Sequence, residues 1–142
     1  MRVLLDECLA LRRYIKQTDE KIAEIEAVLY SPKNQIISDM PKGGGSSNDK
    51  VDKLLEKIAK LQRNRERAVR ELTNKWLLVI EQLKKCEATE SEMQMLKLRF
   101  FNALSWKQCA RTLDQSIPSE KWDENRCFRC YRKIIKKCTK IT

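Results

Sequence analysis

Apolar residues recur along the first part of the chain at spacings that alternate between four and three. Eight positions follow this spacing, one of them polar: Leu4, Cys8, Leu11, Ile15, Thr18, Ile22, Ile25 and Leu29. A pattern of this kind is typical of a helix that packs along one narrow seam. The helix should end at Tyr30, Ser31 and Pro32, because proline disfavours helical geometry in the residue before it.

A second heptad pattern predicts a longer helix that begins at Asn48 or Asp49, both of which are good N-cap residues. Gln62 and Arg65 interrupt its seam. The apolar members of the seam are Val51, Leu55, Ile58, Val69, Leu72, Trp76, Val79, Leu83 and Cys86. A helix from residue 50 to residue 85 would be about 50 Å long, since each residue adds about 1.5 Å. The first helix can therefore fold back along it as an antiparallel hairpin.

We expect this hairpin, residues 1–86, to dimerise the protein. Two helices bury only one narrow face each, and a second copy of the chain would complete a bundle. The seam residues expected to carry the oligomerisation are Leu11, Ile15, Ile22, Ile25, Leu72, Trp76 and Val79.

The connection between the two helices, residues 31–48, contains two prolines and three consecutive glycines and predicts a flexible loop. Ile36, Ile37 and Met40 are apolar, so the loop is either a plain linker or a segment that partly docks on a helix. Loops that only connect two helices are usually shorter than this one. The triple glycine lacks the flanking strand and the Gly-Lys-Ser/Thr sequence of a phosphate-binding loop.

Two capping boxes mark helix starts in the C-terminal part of the chain, residues 87–142. Thr89 with Glu92 opens one helix, and Ser105 with Gln108 opens a second, shorter helix after a brief turn. In each box a side-chain oxygen accepts a free backbone N–H, and the residue three positions later returns the bond.

A third helix is expected to run from about Glu120 to Cys138, with Cys127, Cys130 and Ile134 in its apolar stripe and a basic opposite face. Two short helices followed by a basic third helix are typical of a helix-turn-helix, whose recognition helix fits a B-DNA major groove. Only three glycines and three prolines occur in the chain. The predicted fold is therefore all-α, with an N-terminal antiparallel hairpin of long helices and a C-terminal helix-turn-helix.

The predicted helix-turn-helix resembles region four of bacterial sigma factors. The matching residues are Leu96, Leu98, Arg99, Phe100, Ala103, Leu104, Ser105, Trp106, Cys109, Ala110 and Leu113, with Cys109 where that family usually has Ile or Val. The segment from Ser31 to Gly44, between a heptad helix and a long charged helix, resembles sigma-like or ArpU/RinA-type transcriptional regulators of phages of Gram-positive hosts. The resemblance implies a phage-encoded regulator in the cytoplasm of a bacterial host. The connection from Asp114 to Trp122 is longer than in that family, which leaves the start of the recognition helix open.

Positive charge increases toward the third helix. The chain has 30 Lys and Arg against 20 Asp and Glu, a formal net charge of +10. Residues 1–47 carry seven basic and seven acidic side chains, whereas residues 105–142 carry ten basic and four acidic ones. Either this excess is a solvated basic face, or it serves contacts with DNA phosphates.

The start of the recognition helix is expected to read base edges, because arginine can pair with guanine and asparagine with adenine. The predicted base contacts are Asn125, Arg126 and Arg129. Phosphate contacts are expected from neighbouring cations and from the preceding helix: Lys107, Arg111, Lys121, Arg132, Lys133 and Lys136. The sequence therefore predicts sequence-specific binding of double-stranded DNA in transcriptional control.

Other classes of site have weaker support. Cys127 and Cys130 form a CxxC pair, but structural zinc needs four ligands, and the chain has no second pair and no histidine. Free cysteine packs as a small hydrophobe, so we expect neither a metal nor a cofactor. No enzyme is expected, since histidine is the commonest general base. No apolar run reaches membrane-spanning length, and we expect a soluble protein without a membrane partner.

A protein-interaction module is the alternative from a different class. Sigma region four also resembles surfaces that contact RNA polymerase. In that case the long helices would bind host RNA polymerase or other host machinery, with little affinity for DNA. Salt-dependent binding to duplex DNA discriminates between the two functions.

Overall fold

The computed structural model describes residues 1–31 and 44–141, with side chains for residues 1–31 and 49–139. The helices in these ranges are α1 Arg2–Leu29, α2 Gly44–Lys85, α3 Glu90–Leu96, a π-helical segment Lys97–Phe101, α4 Trp106–Ser116 and α5 Glu124–Ile141. No strand occurs in these ranges, so the all-α prediction is confirmed. None of these helices combines the length and apolar character that crossing a membrane requires.

α2 begins earlier than the sequence predicted. Its first residue is Gly44 rather than Asn48 or Asp49, so the last residues of the predicted loop 31–48 are helical. Extending an existing helix needs only propagation, which is far more favourable than nucleation, and poor helix formers can therefore join a long helix. The rest of the predicted loop, with its apolar residues, lies outside the described residues.

The chain divides into two compact units, and both long helices contribute to each of them. The larger unit contains Met1–Arg13 and Val69–Thr142, and the smaller unit contains Tyr14–Ala68. The predicted division into residues 1–86 and 87–142 does not coincide with this one, because the start of α1 and the second half of α2 belong with the helix-turn-helix. The prediction that residues 1–86 and residues 87–142 are two separately folding domains stays a prediction.

In the smaller unit, α1 and α2 share a narrow apolar seam. Its buried apolar side chains are Ile15, Ile22, Ile58 and Ala68. Thr18 is buried among them, and its Oγ1 donates to the Tyr14 carbonyl oxygen at 2.8 Å, which satisfies the hydroxyl within the helix. Arg65 Nε donates to Asp19 Oδ1 at 2.6 Å, but both side chains are well exposed, so this ion pair adds little stability.

The first residues of the predicted apolar seam of α2 are not buried. Val51 and Leu55 are exposed, as is Val28 near the end of α1. Further along α2, Ala68 is buried where Val69 was predicted. A pair of helices covers only a narrow stripe of each partner, so apolar residues outside that stripe stay in contact with solvent.

The larger unit has an apolar core to which all five α-helices of the described chain contribute. Its fully buried side chains include Leu5, Cys8, Leu72, Val79, Leu83, Met95, Leu96, Cys109, Leu113, Cys127 and Ile134. Beside this core, Lys75 Nζ donates to Glu7 Oε2 at 2.6 Å. Leu11, one turn after Glu7, and Glu71, one turn before Lys75, line the adjoining groove. Later residues of α1 thus lie beside earlier residues of α2, so the two helices run antiparallel within this unit.

α1 and α2 both contact the π-helical segment at Phe101. Arg12 Nε donates to the Phe101 carbonyl oxygen at 2.7 Å, and the Arg12 guanidinium lies 5.0 Å from the centre of the Phe101 ring. The ring of Trp76 lies against the same ring, with 5.5 Å between centroids. The two long helices therefore support the segment that leads into the turn before α4.

The joint between α2 and α3 is a Schellman turn. The Ala88 N–H donates to the Leu83 carbonyl, and the Glu87 N–H donates to the Lys84 carbonyl, both at 3.1 Å. Glu87 has a φ of 55°, the left-handed conformation that this turn requires. The turn satisfies the last carbonyls of α2, which ends at Lys85 and does not merge with α3.

A second left-handed residue lies in the turn before α4. The Asn102 N–H donates to the Lys97 carbonyl at 3.0 Å, and the Leu104 N–H donates to the Leu98 carbonyl at 3.1 Å. Between these donors, Ala103 has a φ of 57°. A Cβ atom is unfavourable in this region, and glycine is the residue that adopts it without cost in strain.

The seam residues predicted to carry oligomerisation are already covered within a single chain. Five are buried, namely Ile15, Ile22, Leu72, Trp76 and Val79, and two are half-buried, namely Leu11 and Ile25. Among these residues a second copy could contact only the exposed parts of Leu11 and Ile25, and its other contacts would have to come from other side chains. Dimerisation stays a prediction.

Replacement of Leu72 by alanine distinguishes a buried position within one chain from a position between two copies. We expect Leu72→Ala to lower the free energy of unfolding by about 2–5 kcal/mol, because it leaves a cavity in the core. Denaturant unfolding should give the same loss at micromolar and at tenfold higher protein concentration. Leu78→Ala on the same helix, 51% exposed, is the control and should change stability by less than about 0.5 kcal/mol. A loss that depends on concentration would place Leu72 between subunits.

Ala103→Gly should stabilise the protein by roughly 0.5–1 kcal/mol. The substitution removes a left-handed strain of about 1–2 kcal/mol, and the greater freedom of glycine in the unfolded chain offsets part of that gain. Denaturant unfolding measures the change. Ala10→Gly, at an exposed interior position of α1, is the matched control and should destabilise by about 0.5–1 kcal/mol. Equal losses for both variants would contradict the strained turn.

Candidate nucleic-acid interface

The two capping boxes predicted from the sequence are confirmed. Thr89 Oγ1 accepts the Glu92 N–H at 3.2 Å, and the Thr89 N–H donates to Glu92 Oε1 at 3.3 Å. Ser105 Oγ accepts the Gln108 N–H at 3.2 Å, and the Ser105 N–H donates to Gln108 Oε1 at 3.0 Å. These bonds satisfy donors that have no partner within a helix, and they fix where α3 and α4 begin.

Arg99 links the two sides of the turn before α4. Its Nη1 donates to the Leu104 carbonyl oxygen at 2.9 Å, and its guanidinium lies 5.1 Å from the centre of the Trp106 ring. One contact holds the turn and the other holds the first residue of α4. The direction in which α4 leaves the turn therefore depends on this side chain.

Four aromatic rings, from Phe100, Trp106, Phe128 and Tyr131, join the π-helical segment, α4 and α5. The Tyr131 centroid lies 5.4 Å from those of both Phe100 and Trp106. Trp106 meets Phe128 edge to face, with 6.0 Å between centroids. Pairs at such distances contribute about 0.5–1.5 kcal/mol each beyond the burial of their area. Burial also raises the pKa of the Tyr131 hydroxyl, which stays neutral in the cluster.

Cysteines line the inner side of the helix-turn-helix. Cys109, Cys127 and Cys138 are buried and Cys130 is half-buried, so the predicted core position is confirmed for the first three. Burial raises the thiol pKa of Cys109 and Cys127 to about 11 and that of Cys138 to about 12. The raised pKa values keep these thiols protonated at neutral pH, as suits side chains packed in an apolar core. Within the described part of the chain, no cluster of three or more Cys, Asp or Glu residues is arranged to hold a metal ion.

Asp123 determines where α5 begins. Its Oδ1 accepts the Arg126 N–H at 2.7 Å, the bond of an N-cap residue. α5 therefore starts at Glu124. The start near Glu120 that was predicted from the sequence is wrong. The residues before the cap are held in a turn in which the Glu120 N–H donates to the Ile117 carbonyl at 3.1 Å.

Trp122 anchors the connection between α4 and α5. It is buried, its backbone N–H donates to Asp114 Oδ1 at 3.4 Å, and its ring Nε1 donates to Glu120 Oε2 at 3.1 Å. The Arg126 guanidinium lies 4.1 Å from the centre of its ring. Trp122 thus connects the last turns of α4 to the first turn of α5, and the long connection is an ordered part of the fold.

Arg126 was predicted to contact a base, but its side chain is engaged in this connection. Besides lying over Trp122, it donates through Nη1 to the Lys121 carbonyl oxygen, and its Nη2 lies 3.5 Å from Glu120 Oε2. The arrangement makes Arg126 a residue that positions the start of α5. Base contact by Arg126 stays a prediction and would require these contacts to break.

One face of α5 presents polar and basic side chains to solvent at spacings of four, three and four. These exposed residues, the exposed stripe of α5, are Asn125, Arg129, Arg132 and Lys136. The spacing places them on one side of the helix, opposite its buried side. Arg129 Nε donates to the Asn125 carbonyl oxygen at 3.4 Å, and the Arg132 guanidinium lies 5.2 Å from the centre of the Phe128 ring.

The other predicted phosphate contacts lie outside this stripe. Lys133 is exposed on α5 and lines a groove together with Arg126. Lys107 and Arg111 are exposed one turn apart on α4, and Lys121 is exposed in the connection. The structure therefore unites Arg132 and Lys136 with two of the three predicted base contacts and leaves the other cations on neighbouring elements.

Two residues beside the exposed stripe were not predicted from the sequence. Phe128 is 43% exposed at the edge of the stripe, and Arg2 lines a groove together with Arg132 and Lys136. Helical spacing could have indicated Phe128, which lies three residues after Asn125. No local pattern could have indicated Arg2, because only the folding of the chain brings α1 beside α5.

Comparisons with protein-family models, with curated proteins and with solved structures gave no match for this chain. The resemblance to sigma region four and to phage regulators accordingly stays a prediction.

Arg126 and Arg129 should differ in their effect on stability. We expect Arg126→Ala to lower the free energy of unfolding by about 1 kcal/mol, because it removes the contact with Trp122 and two polar contacts. Arg129→Ala on the exposed stripe is the matched control and should change it by less than about 0.5 kcal/mol. Urea unfolding of the DNA-free protein is the measurement. Equal stability of the two variants would show that Arg126 does not hold the connection.

Proposed function

We propose that this protein is a sequence-specific double-stranded DNA-binding transcriptional regulator and that α5 is its recognition helix. The observation that carries the proposal is the exposed stripe of α5. The 18-residue helix is held from behind by the aromatic rings and the buried cysteines, while its free face is polar and basic. A helix of this kind fits the major groove of B-DNA.

Position along α5 divides the stripe into two roles. Asn125 and Arg129 lie in the first turns, where a recognition helix approaches base edges. Their side chains suit adenine and guanine, respectively. Arg132 and Lys136 lie in later turns, where cations meet phosphates and hold the helix in register.

The charge of α5 supports the same function. Glu124 is the only acidic residue in its sequence, and it lies in the first turn. Among the residues of α5 up to Thr139, the exposed cations are Arg129, Arg132, Lys133, Lys136 and Lys137. Cations grouped on one element attract the phosphate backbone and release its counterions, which gives affinity before any base is read.

Three further features of the proposal rest on the sequence rather than on α5. The regulation of phage genes and the cytoplasm of a bacterial host follow from the resemblance to phage regulators. A homodimer follows from the usual two-fold symmetry of helix-turn-helix operators, and its contacts would lie mostly outside the heptad seams, which are largely covered within one chain. Within the proposal, duplex DNA is the principal partner and host RNA polymerase is the alternative.

The test is a selection of duplex sequences by the purified full-length protein, followed by affinity measurements on the selected site. Asn125→Ala and Arg129→Ala should each cost about 1–3 kcal/mol of binding free energy and relax base preference at one position. Lys136→Ala should weaken selected and random duplexes alike and lower the slope of log affinity against log salt by about one. The two kinds of variant thus differ in what they change.

Two outcomes would count against the proposal. Equal weakening of selected and random DNA by Asn125→Ala, Arg129→Ala and Lys136→Ala would leave a nonspecific electrostatic binder. Absence of salt-dependent binding by the unmodified protein would favour the interaction with host RNA polymerase or other host machinery.

A further inference from the structure

A groove beside the exposed stripe of α5 contains three cationic side chains from two helices. Arg132 and Lys136 line it from α5, and Arg2 lines it from the first turn of α1. The groove has a volume of about 480 Å³. Its other lining residues are Phe128, Tyr131 and Ile135, so no acidic side chain is among the described residues that line it.

The three cations are accessible and lack an acidic partner among the described ion pairs. The side chains of Arg2, Arg132 and Lys136 are all exposed. Arg65–Asp19, Lys75–Glu7 and Arg126–Glu120 are ion pairs in the described part of the chain, and none of the three involves a cation of the groove. Like charges around one groove repel each other, and an anion bound between them replaces that repulsion by attraction.

One ring in the groove, that of Phe128, restricts the arginine that lies over it. The Arg132 guanidinium lies 5.2 Å from the centre of the Phe128 ring, and that ring is held in turn by Trp106 and Tyr131. An arginine that is already restrained loses less rotamer freedom when it binds. The groove therefore offers an anion at least one cation close to a fixed position.

The location of the groove identifies the anion. Lys136 lies eleven residues after Asn125 on the same stripe, about 16 Å further along the helix axis. When the first turns of a recognition helix meet bases, its later turns meet the sugar–phosphate backbone. A DNA phosphate accepts several charge-assisted hydrogen bonds at once, and arginine presents donors with matching geometry.

We propose that Arg2 of α1 joins Arg132 and Lys136 in a clamp for one backbone phosphate of the DNA that α5 reads. This inference rests on the proposed function. It extends the DNA interface to α1, the helix farthest from α5 in the sequence. The clamp adds affinity for DNA and fixes the angle of α5 in the major groove, but it reads no base.

The experiment measures the affinity of the full-length protein for its selected duplex and for a random duplex over a range of salt concentrations. Arg2→Ala should weaken both duplexes roughly three- to tenfold near physiological salt and lower the salt slope by about one. Arg13→Ala is the matched control, because it removes an exposed arginine from the same helix outside the groove. It should leave affinity and salt slope close to those of the unmodified protein.

A double-mutant cycle tests whether the cations share one phosphate. Arg2→Ala and Lys136→Ala should be less than additive, because loss of either residue already opens the clamp. Arg2→Ala and Asn125→Ala should be additive, since they contact different parts of the DNA. Arg2→Lys keeps the positive charge but loses the two parallel N–H donors of the guanidinium, and it should retain part of the affinity for DNA.

The outcomes separate this inference from the proposed function. If Arg2→Ala binds like Arg13→Ala while Arg129→Ala still loses base preference, the clamp is wrong and the recognition helix stands. Additive effects of Arg2→Ala and Lys136→Ala would likewise overturn a shared phosphate. If the unmodified protein binds no duplex DNA, both proposals fail together.

Discussion

The direction of α5 depends on one side of that helix being held by rings and buried thiols. Tyr131 stands between Phe100 and Trp106, at 5.4 Å from each, and so joins α5 to the π-helical segment and to α4 at once. Cys127 and Ile134 bury the same side of the helix above and below it. Once this side is packed against the rest of the protein, helical geometry determines which residues of α5 face solvent. The exposed stripe of α5 is therefore a consequence of the packing behind it.

That packing is supported in turn by residues far away in the sequence. The π-helical segment supplies Phe100 to the rings on one side, and on the other it meets Arg12 of α1 and Trp76 of α2 through Phe101. The start of α1 and the second half of α2 thus form part of the platform on which the helix-turn-helix is built. This explains why the larger compact unit combines these pieces with α3, α4 and α5. A substitution near Arg12 can consequently affect α5 without lying near it.

Features set by neighbours in the sequence were predictable, and features set by distant contacts were not. The capping box of Ser105 needs only a residue three positions later, and the buried cysteines follow from helical periodicity. The start of α5 was misplaced because two acidic residues, Glu120 and Asp123, precede a helical pattern. The N-cap bond of Asp123 to the Arg126 N–H selects the later start, and the contacts of Trp122 hold the residues before it in the connection. The engagement of Arg126 and the approach of Arg2 to α5 are likewise invisible to periodicity, since they depend on how the chain closes on itself.

The position of Arg126 changes how base recognition divides along α5. A bidentate contact between arginine and guanine is worth about 1–3 kcal/mol of discrimination. To make one, Arg126 would have to leave the Trp122 ring, the Lys121 carbonyl and Glu120, at a cost of about 1 kcal/mol or more. It would also loosen the connection that fixes the first turn of α5, and so the alignment on which the other contacts depend. Arg129 makes only a long bond to the backbone of its own helix and gives up little on binding. Specificity should therefore come from Asn125 and Arg129, while Arg126 keeps them in place.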